Sequence, residues 1–89
     1  MPVKGIGERF VYILRSEADP DRHDVGLTAD VDERLEQHNH GPGGHTVRHR
    51  PWRVIACIEL ANESTAVRFE RHLKSASGRA FAKKHFAAE

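Results

Sequence analysis

The 89-residue chain has only one cysteine, Cys57, and aromatic residues make up only 7% of it. A single cysteine cannot form a disulfide within the chain, so a disulfide-stabilised fold is excluded. Because Cys57 lies in an apolar run, we expect a buried, reduced thiol, as in a cytoplasmic protein. No apolar run approaches the roughly 18 residues of a membrane span, and the N-terminus lacks the apolar segment of a secretion signal. We therefore expect no membrane partner.

The composition is otherwise that of an ordinary globular protein, with 30% charged and 38% hydrophobic residues. A chain of this length predicts a single domain over residues 1–89 with one modest core. The net charge of +1 with histidine neutral indicates no particular class of partner. The basic residues, however, gather after the first predicted helix and near the C-terminus, while acidic residues crowd the first hairpin.

Two short runs of strand-forming residues, 10–14 and 23–27, are separated by a polar turn. This spacing predicts an antiparallel hairpin. The period of two in the first strand places Tyr12 on the face opposite to Val11. Gly26 inside the second strand is typical of a point where another backbone or a ligand comes close.

The rest of the chain predicts helices around a third strand, in the overall order ββαβα plus a short C-terminal helix. Thr28 or Asp30 can cap the first helix, and Asn62 or Ser64 the second, which Gly78 should end. The longest apolar run favours a central strand. The predicted elements are a helix over 31–38, a loop over 40–51, a strand over 52–60, and helices over 64–77 and 79–86.

Glu70 lies at the rim of the apolar stripe of the second long helix, which includes Ala66, Phe69, Leu73 and residue 76. A carboxylate at the edge of a core-facing surface needs compensation, and a divalent cation with water and phosphate ligands would provide it. An ion pair with the lysine four residues later would do the same, and helix geometry alone favours that pair.

Arg34 and His38 are four residues apart and share one side of the first helix. The guanidinium fork matches a phosphate, and imidazole exchanges a proton near neutral pH. The alternative is an exposed arginine paired with Glu33 or Glu36, with the histidine packed under the helix. Tyr12 is likewise either a core residue with a satisfied hydroxyl or a phenol directed at water or phosphate.

The order of these motifs resembles that of the GIY-YIG nuclease superfamily, and in particular its small stand-alone bacterial members. The resemblance covers nearly the whole chain and implies a three-stranded antiparallel sheet packed by helices. It also implies phosphodiester hydrolysis, with DNA as substrate and one Mg²⁺ or Mn²⁺ ion. The matching segments are VY at 11–12, VGLT at 25–28, DVDERLEQHN at 30–39, PW at 51–52, FE at 69–70, LKS at 73–75 and SGRAFAK at 77–83.

The resemblance assigns a role to each matching site residue. Tyr12 matches the first-motif tyrosine, Arg34 the arginine that contacts the scissile phosphate, and Glu70 the metal-binding glutamate. His38 matches a histidine found near the site. The residues expected to contact DNA are Arg34, Arg48, Arg50, Lys74, Lys83 and Lys84.

Position 24 departs from the family pattern, because Asp24 stands where the second motif usually has a tyrosine. An ionised aspartate would repel a phosphate, or it could add a carboxylate to the metal site. We therefore expect a metal-dependent DNA endonuclease whose catalysis is weakened or altered by Asp24. One alternative is a catalytically impaired nucleic-acid-binding module of the same fold, and another is a scaffold subunit that touches no nucleic acid.

Overall fold

The computed structural model describes residues 7–42, 44 and 46–86, and it has the predicted α+β fold. A three-stranded antiparallel sheet is packed by helices on both faces. The elements in chain order are β1 (Phe10–Ser16), β2 (His23–Thr28), α1 (Val31–His40), a 3-10 turn (Val47–His49), β3 (Trp52–Glu59), α2 (Glu63–Leu73) and α3 (Ala76–Phe86). None of the described helices is long and apolar enough to cross a membrane.

The strand order is β2-β1-β3, so β1 is the central strand. The predicted hairpin is confirmed, with Tyr12 opposite Gly26. The prediction that the third strand is central is wrong, because β3 pairs only with β1. The length of its apolar run was misleading, since β1 is the strand with neighbours on both sides and with four consecutive buried residues, 11–14.

The side chains of β1 alternate between two cores, as their period of two predicts. Val11 and Ile13 pack with α2 on what we call the α2 face, in a cluster that includes Ala66 and Leu73. The residues between them, Tyr12 and Leu14, join a cluster on the opposite, α1 face, which contains Trp52, Val31 and Leu35. The fold therefore places the tyrosine of the first motif under α1.

A β-bulge interrupts the pairing of β1 with β3 between Ile13 and Leu14. As a result, the consecutive residues Ile55 and Ala56 both pack on the α2 face. Beyond the bulge Cys57 lies opposite Tyr12 and is exposed, so the prediction of a buried thiol is wrong. The apolar run alone does not bury this side chain, because an edge strand has a neighbour on one side only.

Polar side chains define the helix starts. The Asp30 carboxylate accepts a hydrogen bond from the Glu33 amide at 3.1 Å, and Asn62 caps α2 by accepting from the Thr65 amide at 2.9 Å. Both residues are among the predicted caps. Ser75 caps α3, since its hydroxyl accepts from the Gly78 amide at 3.1 Å.

Gly78 lies inside α3 and does not end α2, which is a correction to the sequence-based prediction. The second helix ends at Leu73 and the third runs over Ala76–Phe86, so the C-terminal helix is as long as α2 and Ala76 is exposed. A Cβ at position 78 would overlap the backbone carbonyl of His72. Glycine is therefore required here by the close approach of α3 to the end of α2, not by a helix break.

Candidate functional site

Tyr12 lies at the centre of the sheet on the α1 face and is only 2% exposed. Its hydroxyl covers Gly26 on the neighbouring strand so closely that any Cβ at position 26 would overlap the phenol ring and oxygen. The close approach predicted for Gly26 thus exists, and the approaching group is this side chain. The glycine leaves the space that the phenol occupies.

The surroundings of the phenol keep it neutral. Burial raises the pKa of Tyr12 above its usual value of 10.0, and the negative charge of Asp24 raises it further. The guanidinium of Arg34, beside the hydroxyl, lowers the pKa and only partly offsets the burial. At pH 7 the side chain is therefore a hydrogen-bonding phenol and a poor base.

We predict that the phenol titrates above pH 10 in the folded protein. Because Tyr12 is the only tyrosine, ultraviolet absorbance of the phenolate reports this group alone. The folded state keeps the proton longer than the unfolded state. The corresponding stability is present below the unfolded pKa near 10 and is lost as pH rises through the higher folded value. A titration midpoint at or below pH 10 would contradict this prediction. The Tyr12→Phe variant, which has no phenol, gives the background absorbance.

His38 and Asp24 form a short hydrogen-bonded pair next to this phenol. The Asp24 Oδ2 lies 2.6 Å from His38 Nε2, and the side chains are 33% and 12% exposed, respectively. The other ring nitrogen, Nδ1, lies 3.0 Å from the carbonyl oxygen of Arg34. A carbonyl only accepts, so this contact is a hydrogen bond when Nδ1 carries the proton of the ring.

The contact gives the Asp24 carboxylate a hydrogen-bonding partner on α1, so the departure from the second motif is accommodated by a side chain of the same site. His38 is further held by edge-to-face contacts with Tyr12 at 6.3 Å and Trp52 at 5.9 Å between ring centroids.

Arg34 lies one turn before His38 on α1, as the spacing of four residues predicts. Its guanidinium acts on the Tyr12 hydroxyl both through its charge and through a hydrogen bond. Glu36, one of its predicted alternative partners, instead contacts His40 at 2.9 Å. The structure thus brings Tyr12, Asp24, Arg34 and His38 together on the α1 face.

Glu70 approaches the same group of residues from α2. Its charge also contributes to raising the pKa of Tyr12, more weakly than that of Asp24. The side chain is 17% exposed, and its Oε2 lies 2.7 Å from Lys74 Nζ. The ion pair that helix geometry favours is therefore formed, and it leaves Glu70 compensated by a cation.

The carboxylate oxygens of Glu70 are suitable ligands for a divalent cation. Within residues 7–42, 44 and 46–86, no three His, Cys, Asp or Glu side chains are grouped so as to hold a metal ion. Mg²⁺ can bind where the protein supplies few ligands, because it uses one or two carboxylates together with waters and phosphate oxygens. The ammonium of Lys74 already occupies a cation position on this carboxylate. A cation held by Glu70 and substrate therefore fits the site, provided that Lys74 moves.

The remaining basic residues of the predicted DNA surface lie in different parts of the fold. Arg50 binds the C-terminal end of α1, with Nη2 donating to the Gly41 carbonyl at 2.6 Å and Nε to that of His38. This contact makes it a helix cap. Arg48 is exposed in the 3-10 turn. Lys74, at the C-terminal end of α2, and Lys83, on α3, are exposed and line one cleft, and Lys84 is exposed next to Lys83.

Asn39 is a site residue to which the sequence pattern assigned no role. Its carboxamide donates from Nδ2 to the Trp52 carbonyl at 2.9 Å and accepts from the Trp52 amide at 2.6 Å. The indole Nε1 donates in turn to the Thr46 carbonyl at 3.0 Å. These bonds fix the end of α1 against the start of β3 and so position His38. The helical periodicity contains no signal for them, since the partner is a backbone 13 residues away.

Comparison with known proteins is consistent with this geometry. The family model described as the GIY-YIG catalytic domain matches residues 8–85. A UPF0213 protein from Halalkalibacterium halodurans is 35% identical over 71 residues, which cover 79% of this chain and 73% of the relative. No solved structure gives a significant match.

Proposed function

Because this chain belongs to the GIY-YIG family, which is generally a family of nucleases, we propose that it is an endonuclease that hydrolyses DNA phosphodiester bonds with Mg²⁺ or Mn²⁺. The observation that carries the proposal is the convergence of Arg34, His38 and Asp24 on the buried phenol of Tyr12. A buried phenol of raised pKa with ionisable side chains gathered around it is typical of a catalytic centre.

Arg34 binds the non-bridging oxygens of the scissile phosphate in this proposal. A guanidinium offers two parallel donors to a phosphate and stabilises the negative charge that builds in the transition state. The phenol of Tyr12 orients the attacking water and does not deprotonate it, because its raised pKa keeps it in the protonated form. The Asp24–His38 pair lies beside the phenol and accepts the proton of the water in this proposal.

Glu70 would hold the cation, and Lys74 would have to leave the carboxylate for this to happen. When bound, the cation supplies Lewis-acid stabilisation of the leaving oxygen. Because the protein would supply only one carboxylate to the cation, we expect metal and substrate to bind together rather than separately.

A catalytically impaired nucleic-acid-binding module is the second candidate, and two observations favour it. Asp24 replaces the second-motif tyrosine, and Lys74 covers the carboxylate that would bind metal. This module would bind nucleic acid tightly, with a steep salt dependence and no turnover.

The deciding experiment is single-turnover cleavage of linear, nicked, flapped and branched DNAs, with Mg²⁺, Mn²⁺ or a chelator. We expect metal-dependent cleavage by the native chain and about fivefold faster cleavage by Asp24→Tyr. A bare aspartate ~5 Å from the phosphate would oppose the reaction by ~3 kcal/mol at an effective dielectric of ~20, and the hydrogen bond of Asp24 to His38, together with solvent exposure, should reduce this to about 1 kcal/mol.

Two results would change the conclusion. If Asp24→Tyr cleaves and the native chain only binds, the protein is an impaired module of the same site. If Asp24→Tyr is slower than the native chain, then the Asp24–His38 pair takes part in the reaction and is not a weakened substitute for the tyrosine.

A further inference from the structure

A cleft of about 1010 Å³ lies on the α2 face of the sheet, bounded by the β1–β2 hairpin and by α2 and α3, and it shares Asp24 with the candidate site. Its floor includes Ile13 and Leu73 of the α2-face core. The volume is at the upper limit of small-molecule sites, which are about 300 to 1,000 Å³. The rim is formed by cationic side chains: Arg15, Arg22, Lys74, Arg79 and Lys83.

The charge of the chain is concentrated in this cleft. The five cations on the rim are accompanied by two acids, Asp21 and Asp24, so the lining has a formal net charge of +3. The whole chain has only +1, which means that the remaining residues sum to −2. Lys74 is paired with Glu70 and Arg22 with Asp19, so Arg15, Arg79 and Lys83 are the rim cations without an ion pair among the described residues. A cleft of net positive charge on a nearly neutral protein attracts a polyanion to that place and not to the surface at large.

His23, which lines the cleft opposite Arg15, responds to this positive charge. Its pKa is lowered from 6.5, first by burial and then by the charge of Arg15, while Asp21 opposes the shift weakly. The imidazole is therefore neutral at pH 7 and adds no charge of its own. It is the only aromatic ring among the lining residues, which offers little for base stacking.

We propose that this cleft binds the sugar-phosphate backbone of the nucleic acid that enters the site, an inference that rests on the proposed function. Five cations above an apolar floor match phosphates and sugars, and contacts to the backbone make the recognition independent of sequence. Lys74 connects the two regions, because it lines the cleft and also contacts Glu70 at 2.7 Å. A backbone in the cleft therefore leads directly to the carboxylate.

Exposed cations of α2 and α3 provide a matched test, since Arg79 and Lys83 line the cleft and Arg68 and Arg71 do not. The cleft variant is Arg79→Ala with Lys83→Ala, and the control is Arg68→Ala with Arg71→Ala. Both remove two positive charges from exposed helix positions and substitute the best helix former. Binding of a fluorescein-labelled duplex and of its single strand is followed by anisotropy over a range of salt, with a chelator present so that nothing is cleaved.

We expect the cleft variant to lower the slope of log affinity against log salt on the duplex by about 1.8, which corresponds to two lost phosphate contacts. The control should keep the native slope. Equal losses in both variants would show that only net charge matters, and an unchanged slope in the cleft variant would place the backbone elsewhere. Either result overturns the inference.

Cleavage by the native chain with Mn²⁺, measured separately, distinguishes this inference from the proposed function. If the native chain binds through the cleft and cuts no substrate, the cleft is supported while the nuclease proposal fails. If it cuts DNA and the cleft variant binds with the native slope, the nuclease proposal stands and the cleft inference fails.

Discussion

Replacing Glu70 by glutamine should abolish Mn²⁺ binding in the presence of DNA and slow cleavage by at least about a thousandfold. Glutamine has nearly the same shape but no charge, so the cation loses its only proposed carboxylate. Lewis-acid stabilisation by a metal is worth several kcal/mol, and ~4 kcal/mol corresponds to about a thousandfold in rate. Calorimetric titration of a noncleavable DNA complex measures the metal binding, and single-turnover kinetics measure the rate.

Lys74→Gln is the matched control, because it breaks the same ion pair and keeps the carboxylate. Such a pair on a helix contributes only about 0.2 to 0.5 kcal/mol, so both variants should unfold at nearly the same denaturant concentration. The control should still bind Mn²⁺. Retained Mn²⁺ affinity in Glu70→Gln would remove the metal role, and a large loss of stability in that variant alone would indicate a structural role instead.

Gly78→Ala is expected to destabilise the fold by about 3 kcal/mol, although alanine is the better helix former. The added methyl group would overlap the His72 carbonyl, and this backbone atom cannot rotate away as a side chain can. For a domain of this size, the melting temperature should fall by about 12 to 24 °C. Denaturant and thermal unfolding measure both quantities.

Gly44→Ala tests the same substitution where there is space, because no atom lies within 4 Å of a Cβ at that position. Its effect on the free energy of unfolding should remain within about 0.5 kcal/mol. If Gly78→Ala were as stable as Gly44→Ala, then α3 would not be packed against the end of α2 in the way described.

The local features of the fold were predictable from the sequence where one short-range rule decides them. The alternation of β1 places Tyr12 and Val11 on opposite faces because strand geometry has a period of two. The caps Asp30 and Asn62 follow from their side-chain chemistry. The pairing of β2 with β1 follows from the short turn between them.

Features that depend on non-local pairing were not predictable in this way. The bulge at Ile55 shifts the alternation of β3 by one residue, so that Cys57 falls on the α1 face of an edge strand and is exposed. The identity of the central strand likewise depends on which strands pair, and the length of an apolar run does not predict this pairing. Gly78 was assigned to a helix end because its packing partner belongs to another helix.

In the candidate site, too, local contacts were predictable from the sequence and non-local contacts were not. The spacing of Arg34 and His38 places them together on any helix, whereas the contact of His38 with Asp24 depends on how α1 lies on the sheet. Arg50 was expected to contact phosphate, but its nearest acceptors are carbonyls at the end of α1, among them that of Gly41. Composition and spacing do not distinguish between these two uses of an arginine.

The strand order also determines when the site can form during folding. Arg15 and His23 pair across 8 residues, whereas Ser16 and Trp52 pair across 36, which adds about 1.3 kcal/mol to the entropy of loop closure. We expect the hairpin to form first and the β1–β3 ladder to be rate-limiting. Helix α1 lies inside that longer loop and is fastened by Asn39 only once β3 has joined. A chain that is still folding would therefore have the phenol in place without the arginine, and the proposed catalytic site could not form before the sheet is complete.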